Sequence, residues 1–432
     1  MCPLIDNDYH SAPIGIAEQG SDVGHLLMVE SWVGAMSSLL PRAIREAGGR
    51  FTFLTRDLHH YLRSAPATPH PLLAADNVLT ADTNDLGTLL PYLERVHDVL
   101  RFDGVITSCD YYLETAARIA HHLRLPGPDP DAVDRAYRKD LTRQALPDLG
   151  PAFALTDTVE AAHAEAERIG YPVVVKPVDL CAGMFVRVAA NPAELKEAVE
   201  AIEGFPVNAR GQQRNPLVLL EEFLDGPEFS VETVTFGGNT HVVGVTDKSV
   251  TGSPWFVESG HMFPADLPEE TTALIAGTAV EAVRRLGLDR TVAHTEIKLT
   301  AAGPRLVEVN PRPAGNQITE LVRRTTGIDL PMVYARLAMG EDPDLRHVDT
   351  GARSAAIGFL LPERPGTVAA IDGVDALGHG DVVDWAVKPV GHEAGPATSN
   401  NHYLGHVMVV DRGANARRRA EELVGALSVT YS

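Results

Sequence analysis

Cysteine is scarce in this sequence: Cys2, Cys109 and Cys181 stand far apart among 432 residues. An odd number without any CxxC pair argues against a disulfide framework and against a zinc knuckle. Basic residues are in deficit too. The 37 lysines and arginines against 58 aspartates and glutamates leave a net charge of -21, which as a whole surface repels nucleic acid and anionic membranes. Neither is an expected partner, although a local basic pocket could still hold phosphate. No apolar run approaches the ~18–20 residues of a membrane span. The opening residues Met1 to Asp8 carry acid where a signal peptide needs a basic and then an apolar stretch, so a cytoplasmic location is expected. The dinucleotide fingerprint is missing as well. The first strand-like run is followed by Glu30-Ser31-Trp32-Val33-Gly34, without GxGxxG, and an NAD enzyme is disfavoured.

What is present reads as globular, with 44% hydrophobic and 22% charged residues. At ~150 residues per domain the length suggests about three domains. The first third alternates strand-like runs (His25–Glu30, Arg50–Leu54, Val78–Thr80, Asp103–Ser108) with helical spacing (Ser31–Ala47, Leu86–Leu100, Tyr112–Leu123). Such alternation predicts a doubly wound parallel sheet. Pro126-Gly127-Pro128-Asp129-Pro130 is a rigid connector and a boundary. Beyond it come a helix holding Lys139, strands at Tyr171–Lys176, Leu217–Phe223 and Phe229–Phe236, and a hairpin into Thr240–Thr246. A long helix, Glu270–Leu286, precedes paired strands at Ala293–Leu299 and Arg305–Val309. Short strands and turns follow Ala352, with a closing helix at Ala414–Leu427.

Several charged residues occur in one order: Lys139, Lys176 at the end of Val173-Val174-Val175-Lys176-Pro177, then Glu221-Glu222-Phe223-Leu224 with Glu228, Lys248, Glu296-Ile297-Lys298 and Glu308-Val309-Asn310-Pro311-Arg312. This set resembles the ATP-grasp superfamily, and within it the carboxylate–amine ligases that include the bacterial L-amino-acid ligases. The resemblance implies an α/β ATP-grasp fold with a Rossmann-like N-terminal domain over residues 1–128. It implies an ATP-grasp domain over 129–345, with a mobile lid at about 157–219, and a small α+β domain over 346–432.

It also implies roles, and each has a physical rationale. Lys139 and Lys176 match two phosphate-holding lysines, compact charges suited to ATP, although a lone lysine at a strand end is usually just solvated. Glu221, Glu222, Phe223 and Leu224 match the hinge whose backbone pairs with the adenine edge, and Glu228 matches the carboxylate that accepts from ribose hydroxyls. The plainer reading of Glu221 is an acidic surface turn. Glu296 and Glu308 fall on adjacent strands, and Asn310 lies two residues on along the same face. They form a hard oxygen set for Mg²⁺, with two ions implied and Mn²⁺ an allowed substitute. Arg312 matches the arginine that holds the transferred phosphoryl group. The competing reading there is a salt-bridged strand pair, Glu308 with Arg312.

The remaining candidates are less specific. Arg312, Lys248 and His261 are the catalytic candidates, and a hydrogen-bonded structural histidine is the plain alternative for His261. Trp255 lies in a loop ending in Gly260-His261. Gly315 and Asn316 follow Arg312 at a helix start, where family members often have two glycines. Glu114 could hold a substrate ammonium, or be an ordinary helix-face glutamate. The loop after Lys176 departs from the family: it holds one glycine, Gly183, among apolar residues, and Cys181 there reads as a packing residue.

The implied activity is ATP-dependent joining of a small acid, such as an amino acid, to an amine through an acyl phosphate. ADP and phosphate leave, in the biosynthesis of a peptide-like metabolite or antibiotic, and a homodimer is compatible with it. The alternatives are an ATP-grasp carboxylase or purine-pathway ligase and, from another class, a non-catalytic ATP-binding regulator.

Overall fold

The computed structural model describes residues 24–432 except 33–34, 65–71, 73–74, 252–253 and 379. Cys2, the opening acidic stretch and the Val33-Gly34 pair lie outside the described residues.

Four strands, His25–Val29, Arg50–Thr55, Asn77–Thr80 and Gly104–Ile106, form a parallel sheet in the spatial order third, second, first, fourth. The first strand is buried on both faces, as a parallel strand between helices must be. Leu26 and Met28 pack with Leu40 and Ile44 of the helix Ala35–Glu46, whereas Leu27 and Val29 pack with Leu89 and Leu93 of the helix Leu86–Leu100. Among the described residues the first of these helices is Ala35–Glu46, whereas its apolar spacing predicts one from Ser31. Ser31 and Trp32 are held out of it by side-chain bonds to Ser108 and Asp110.

A second, smaller sheet is antiparallel, in the order Phe153–Thr156, Val218–Glu222, Val173–Pro177, Arg187–Ala189. Two capped helices cover it. Thr158 accepts from the Ala161 amide ahead of Val159–Ile169, and Asn191 accepts from Ala193 and Glu194 ahead of Pro192–Glu203. This unit has its own apolar core around Val173, Val175, Leu195 and Leu220.

The largest sheet has eight antiparallel strands, in the order Gly303–Asn310, Thr291–Thr300, Glu228–Phe236, Asn239–Val250, Glu258–Phe263, Ser354–Leu360, Gly405–Asp411 and Val382–Val387. The loop read at Trp255 to His261 therefore needs correction, because its second half is the strand Glu258–Phe263. That strand joins residues after 346 to the preceding ones in one continuous sheet. Gly260 permits the join, since a Cβ there would lie 2.7 Å from the Ile357 carbonyl oxygen. The helix Ala416–Gly425 covers this end of the sheet, and a three-stranded sheet of Glu393–Ala394, Gly366–Asp372 and Ser428–Tyr431 closes the chain.

Candidate active site

One cavity of about 620 Å³ opens where the three larger sheets meet. Its wall draws Asp110 from the parallel sheet, Lys176 and Arg187 from the small sheet, Glu296 and Glu308 from the large one, and Asn400 from the C-terminal stretch.

At the floor, Glu296 and Glu308 are direct partners across the antiparallel pair, and His294 faces Asn310 one step along. Lys139 Nζ lies 3.2 Å from Glu308 Oε2 and donates to the Leu180 carbonyl at 2.8 Å. Asn310 Nδ2 is 2.8 Å from Glu308 Oε1. The Glu308 carboxyl sits far below the usual range. Burial pushes it up, but Lys139 and the Asn310 amide outweigh burial. Glu308 does not pair with Arg312, so the strand-pair alternative is not realised. Among the described residues no three His, Cys, Asp or Glu side chains cluster at metal-ligand spacing. Two carboxylates and an amide oxygen still suit a hard divalent cation whose remaining positions go to phosphate and water. Behind Glu296, His294 Nε2 lies 3.3 Å away, and Nδ1 lies 2.9 Å from Glu232. Burial opposes the imidazolium, but Glu232 and then Glu296 raise His294 to about 9.

Lys176 is almost fully buried, and its Nζ is 2.6 Å from Glu221 Oε2. The other Glu221 oxygen meets Arg143 Nε at 2.5 Å, and Arg143 Nη2 donates to the Val307 carbonyl at 2.6 Å. Glu221 is therefore neither a surface turn nor a free hinge residue. Its backbone is committed to the ladder with Phe153 and Val174, and its carboxylate anchors Lys176. The Glu222 amide is used as well, on the Ala152 carbonyl at 2.8 Å. All four hinge residues line the cavity, and Phe223 and Leu224 lie past the strand end. Sequence reasoning missed Arg143, because a helical arginine has no pattern of its own.

Lys248 is a buried hub. Its Nζ lies 3.1 Å from Glu228, 2.9 Å from Glu258, and in contact with Glu296. Glu228 faces the cavity with Lys298 Nζ 3.7 Å from its second oxygen. His261 lies outside the cavity lining, buried behind Glu258, with Nε2 3.2 Å from that carboxylate but off hydrogen-bond geometry. Its assignment to the reacting centre is thus corrected to a place behind Glu258, which sequence reasoning passed over. Asn316 donates to Glu258 and lies 3.4 Å from the Tyr403 hydroxyl, while Gln317 Nε2 donates to Asp384 at 3.2 Å. Both have positive φ, 46° and 65°. Gly315 also lines the cavity. Trp255 also lines the cavity, with the Arg187 guanidinium 5.5 Å over its ring.

Arg312 lines the cavity bound to Asp110, with Nε and Nη2 at 2.8 and 2.5 Å from one oxygen. Glu114 needs correction. It is outside the cavity lining, and its carboxylate is 2.6 Å from Arg118 Nε one helical turn on. The loop after Lys176 lines the cavity through Cys181, Ala182, Gly183 and Met184, with Gly183 at φ +69°. Its apolar residues have a use: Leu180, Cys181, Met184 and Phe185 pack on Trp32, Tyr111 and Tyr112 of the first sheet's loops. Burial pushes the Cys181 thiol well up, consistent with packing rather than reactivity.

Similarity to known proteins follows the same lines. The chain is 29% identical to the protein y4rH of Sinorhizobium fredii, over 85% of this chain and 76% of that one. It is 27% identical to human carnosine synthase 1, over 74% of this chain and 40% of the relative. Alanine–anticapsin ligase of Bacillus subtilis is 25% identical, over 58% and 57%. The chain thus spans about two fifths of carnosine synthase and a little over half of the anticapsin enzyme. The crystal structure of an L-amino acid ligase from Bacillus licheniformis has the same fold, with a TM-score of 0.78, 24% identity, and coverage of 96% of this chain and all of that one. Residues 42–127 match the ATP-grasp N-terminal domain, 169–320 the ATP-grasp domain, and 358–432 the L-amino acid ligase C-terminal domain 2. The chain thus carries ATP-grasp domains followed by an L-amino acid ligase C-terminal domain.

Proposed function

We propose that this chain joins the carboxylate of an amino acid or related small acid to an amine at the expense of ATP. The observation that carries this reading is the convergence of Lys139, Lys176, Glu296, Glu308 and Arg312, drawn from four separated segments, on one cavity. The carboxylate oxygen attacks the γ-phosphorus and ADP leaves. The amine nitrogen then attacks the acyl phosphate carbon, phosphate leaves with the C–O electrons, and the nitrogen loses its proton to solvent. No protein nucleophile is required.

In this reading Lys139 and Lys176 hold phosphate oxygens, Arg312 follows the phosphoryl group, and Glu228 accepts from the ribose. Backbone groups of Phe223 and Leu224 meet the base. Glu296, Glu308 and Asn310 hold the divalent cation, Mg²⁺ as two ions or Mn²⁺ in its place, which neutralises charge on the phosphates. Lys248 pairs with Glu228, Glu258 and Glu296 at once and so offsets their mutual repulsion. The match of residues 358–432 to an L-amino acid ligase domain supports the amide-forming reading over the carboxylase or purine-pathway alternatives. A complete phosphoryl-handling set argues against a non-catalytic regulator. The names of the relatives support an amino acid as substrate and, from the anticapsin ligase, a product in antibiotic biosynthesis.

We further infer the division 1–128, 129–345 and 346–432 with a lid over 157–219, and a homodimer as the assembly to test by light scattering. No helix of the described residues is long and apolar enough to cross a membrane. The deciding experiment screens amino acids singly and in pairs with Mg²⁺ and ATP and separates the nucleotides. ADP and phosphate appearing in step with an amide supports the reading, whereas AMP in step with product overturns it.

A further inference from the structure

Arg312 is held by a residue that sequence reasoning passed over. Asp110 lies just beyond the strand Gly104–Ile106 and is 2% exposed. One oxygen accepts from Arg312 Nε and Nη2, and the other accepts from the Trp32 indole at 2.5 Å. Arg312 Nη1 donates to the Pro313 carbonyl at 2.9 Å, so the guanidinium is gripped at three nitrogens. No other acid is within ion-pair distance of Arg312 among the described residues, Glu308 included.

The grip extends into the lid. Trp32 packs edge-on against Tyr111 at 5.3 Å, and the Arg210 guanidinium lies 5.5 Å over the same indole. Arg210 comes from the polar segment 207–215 and is buried. It donates to the Ser31 carbonyl, and its own carbonyl accepts from Arg56 at 2.7 Å and Asn84 at 3.0 Å. Ser31, Arg56, Asn84 and Ser108 follow the carboxyl ends of the four parallel strands. The sheet changes winding direction between its first and fourth strands, and ligands usually enter open α/β sheets at that point. Here the crevice receives the lid's own arginine.

We propose that Asp110 is the positioning residue for Arg312, itself oriented by Trp32 and the seated lid segment. The inference rests on the phosphoryl role given to Arg312 above. An unrestrained arginine would lose rotamer freedom at the moment of transfer, whereas one held on a buried carboxylate is already placed. The cost is that the carboxylate shares the arginine's charge, which suits a guanidinium with a donor to spare.

The test uses the full chain with Mg²⁺ and ADP, and aluminium fluoride as the probe of the phosphoryl position. Binding of Mg²⁺ with a non-hydrolysable ATP analogue is the reference. Asp110→Asn should weaken fluoride-dependent trapping at least tenfold while analogue binding stays within about twofold. Adding Asp110→Asn to Arg312→Ala should weaken trapping less than twofold further, because the aspartate acts through the arginine. A merely structural aspartate would instead lower both readouts, and lower them again in the double variant. If Asp110→Asn unfolds the chain, Trp32→Phe removes only the indole donor and should reduce trapping about threefold. Parental trapping in both Asp110→Asn and Trp32→Phe, with loss in Arg312→Ala, would overturn this proposal alone. Parental trapping in Arg312→Ala would overturn the role of that arginine, and this proposal with it.

Discussion

Glu296 and Glu308 face each other across one strand pair, yet each carboxylate is held by a different lysine, Lys248 for the first and Lys139 for the second. The two lysines, on a helix and a strand of different parts of the chain, are far apart in sequence. They let two like charges share one face without either carboxyl being forced to protonate.

A first prediction follows from that pair. Glu308→Gln keeps the shape, removes one charge from the cation site, and frees Lys139. Product formation with ATP should fall by on the order of 10²–10³, with the melting temperature within a few degrees of the parent. Mg²⁺ titrations of ADP release, read beside calorimetry, check it. Appreciable turnover at ordinary Mg²⁺ would reject the assigned role.

Glu221 supports a second prediction, about stability. Burial raises its carboxyl, but Arg143 and then Lys176 outweigh burial and hold it below the usual range for a glutamate. A depressed carboxyl contributes stability that is present above its unfolded pKa and lost as pH falls through its folded one. Glu221→Gln should cost about 3–5 kcal/mol at pH 7, because it leaves two buried cations short of a partner. It should also flatten the acid limb of the stability curve below pH 4.5. Urea unfolding at several pH values measures both effects. Loss of the same energy at pH 3 as at pH 7 would contradict the ionised form.

Glu228 separates binding from chemistry. Its oxygens face the cavity beside Lys298 and share Lys248 with Glu296, but neither contacts Glu308. Glu228→Gln should raise KM for ATP roughly tenfold and leave kcat within about threefold, the pattern of a contact made equally in ground and transition states. A fall in kcat without change in KM would move this residue to the reacting centre.

The segment 207–215 supports a last prediction. Gly211 has φ +73°, and a Cβ there would lie 2.7 Å from Arg56 Nη1. Gly211→Ala should therefore unseat the 207–215 segment through both strain and collision. Hydrogen exchange across residues 177–186 and 205–214 should rise at least tenfold, with the strand Arg50–Thr55 unchanged. Parental exchange in both stretches would show that Gly211 does not seat this segment.

Local pattern was enough for much of this protein. Apolar runs, helical spacing and turn residues located the four parallel strands, the long helix before the paired strands, and both strands that bear Glu296, Glu308 and Asn310. The order of lysines and acids resembles that of the ATP-grasp superfamily, and the resemblance implied ATP. Partnership was decided only by tertiary structure. Nothing local to Glu221 says that it will be buried between Arg143 and Lys176, and nothing near Asp110 says that it will hold Arg312, 202 residues away. Ion pairs of this kind depend on which sheet edges meet, and one sequence does not encode that as a period. The same limit explains the strand Glu258–Phe263. Its Gly260 reads as a loop residue until the backbone of Ile357 is seen to pass where a side chain would otherwise stand.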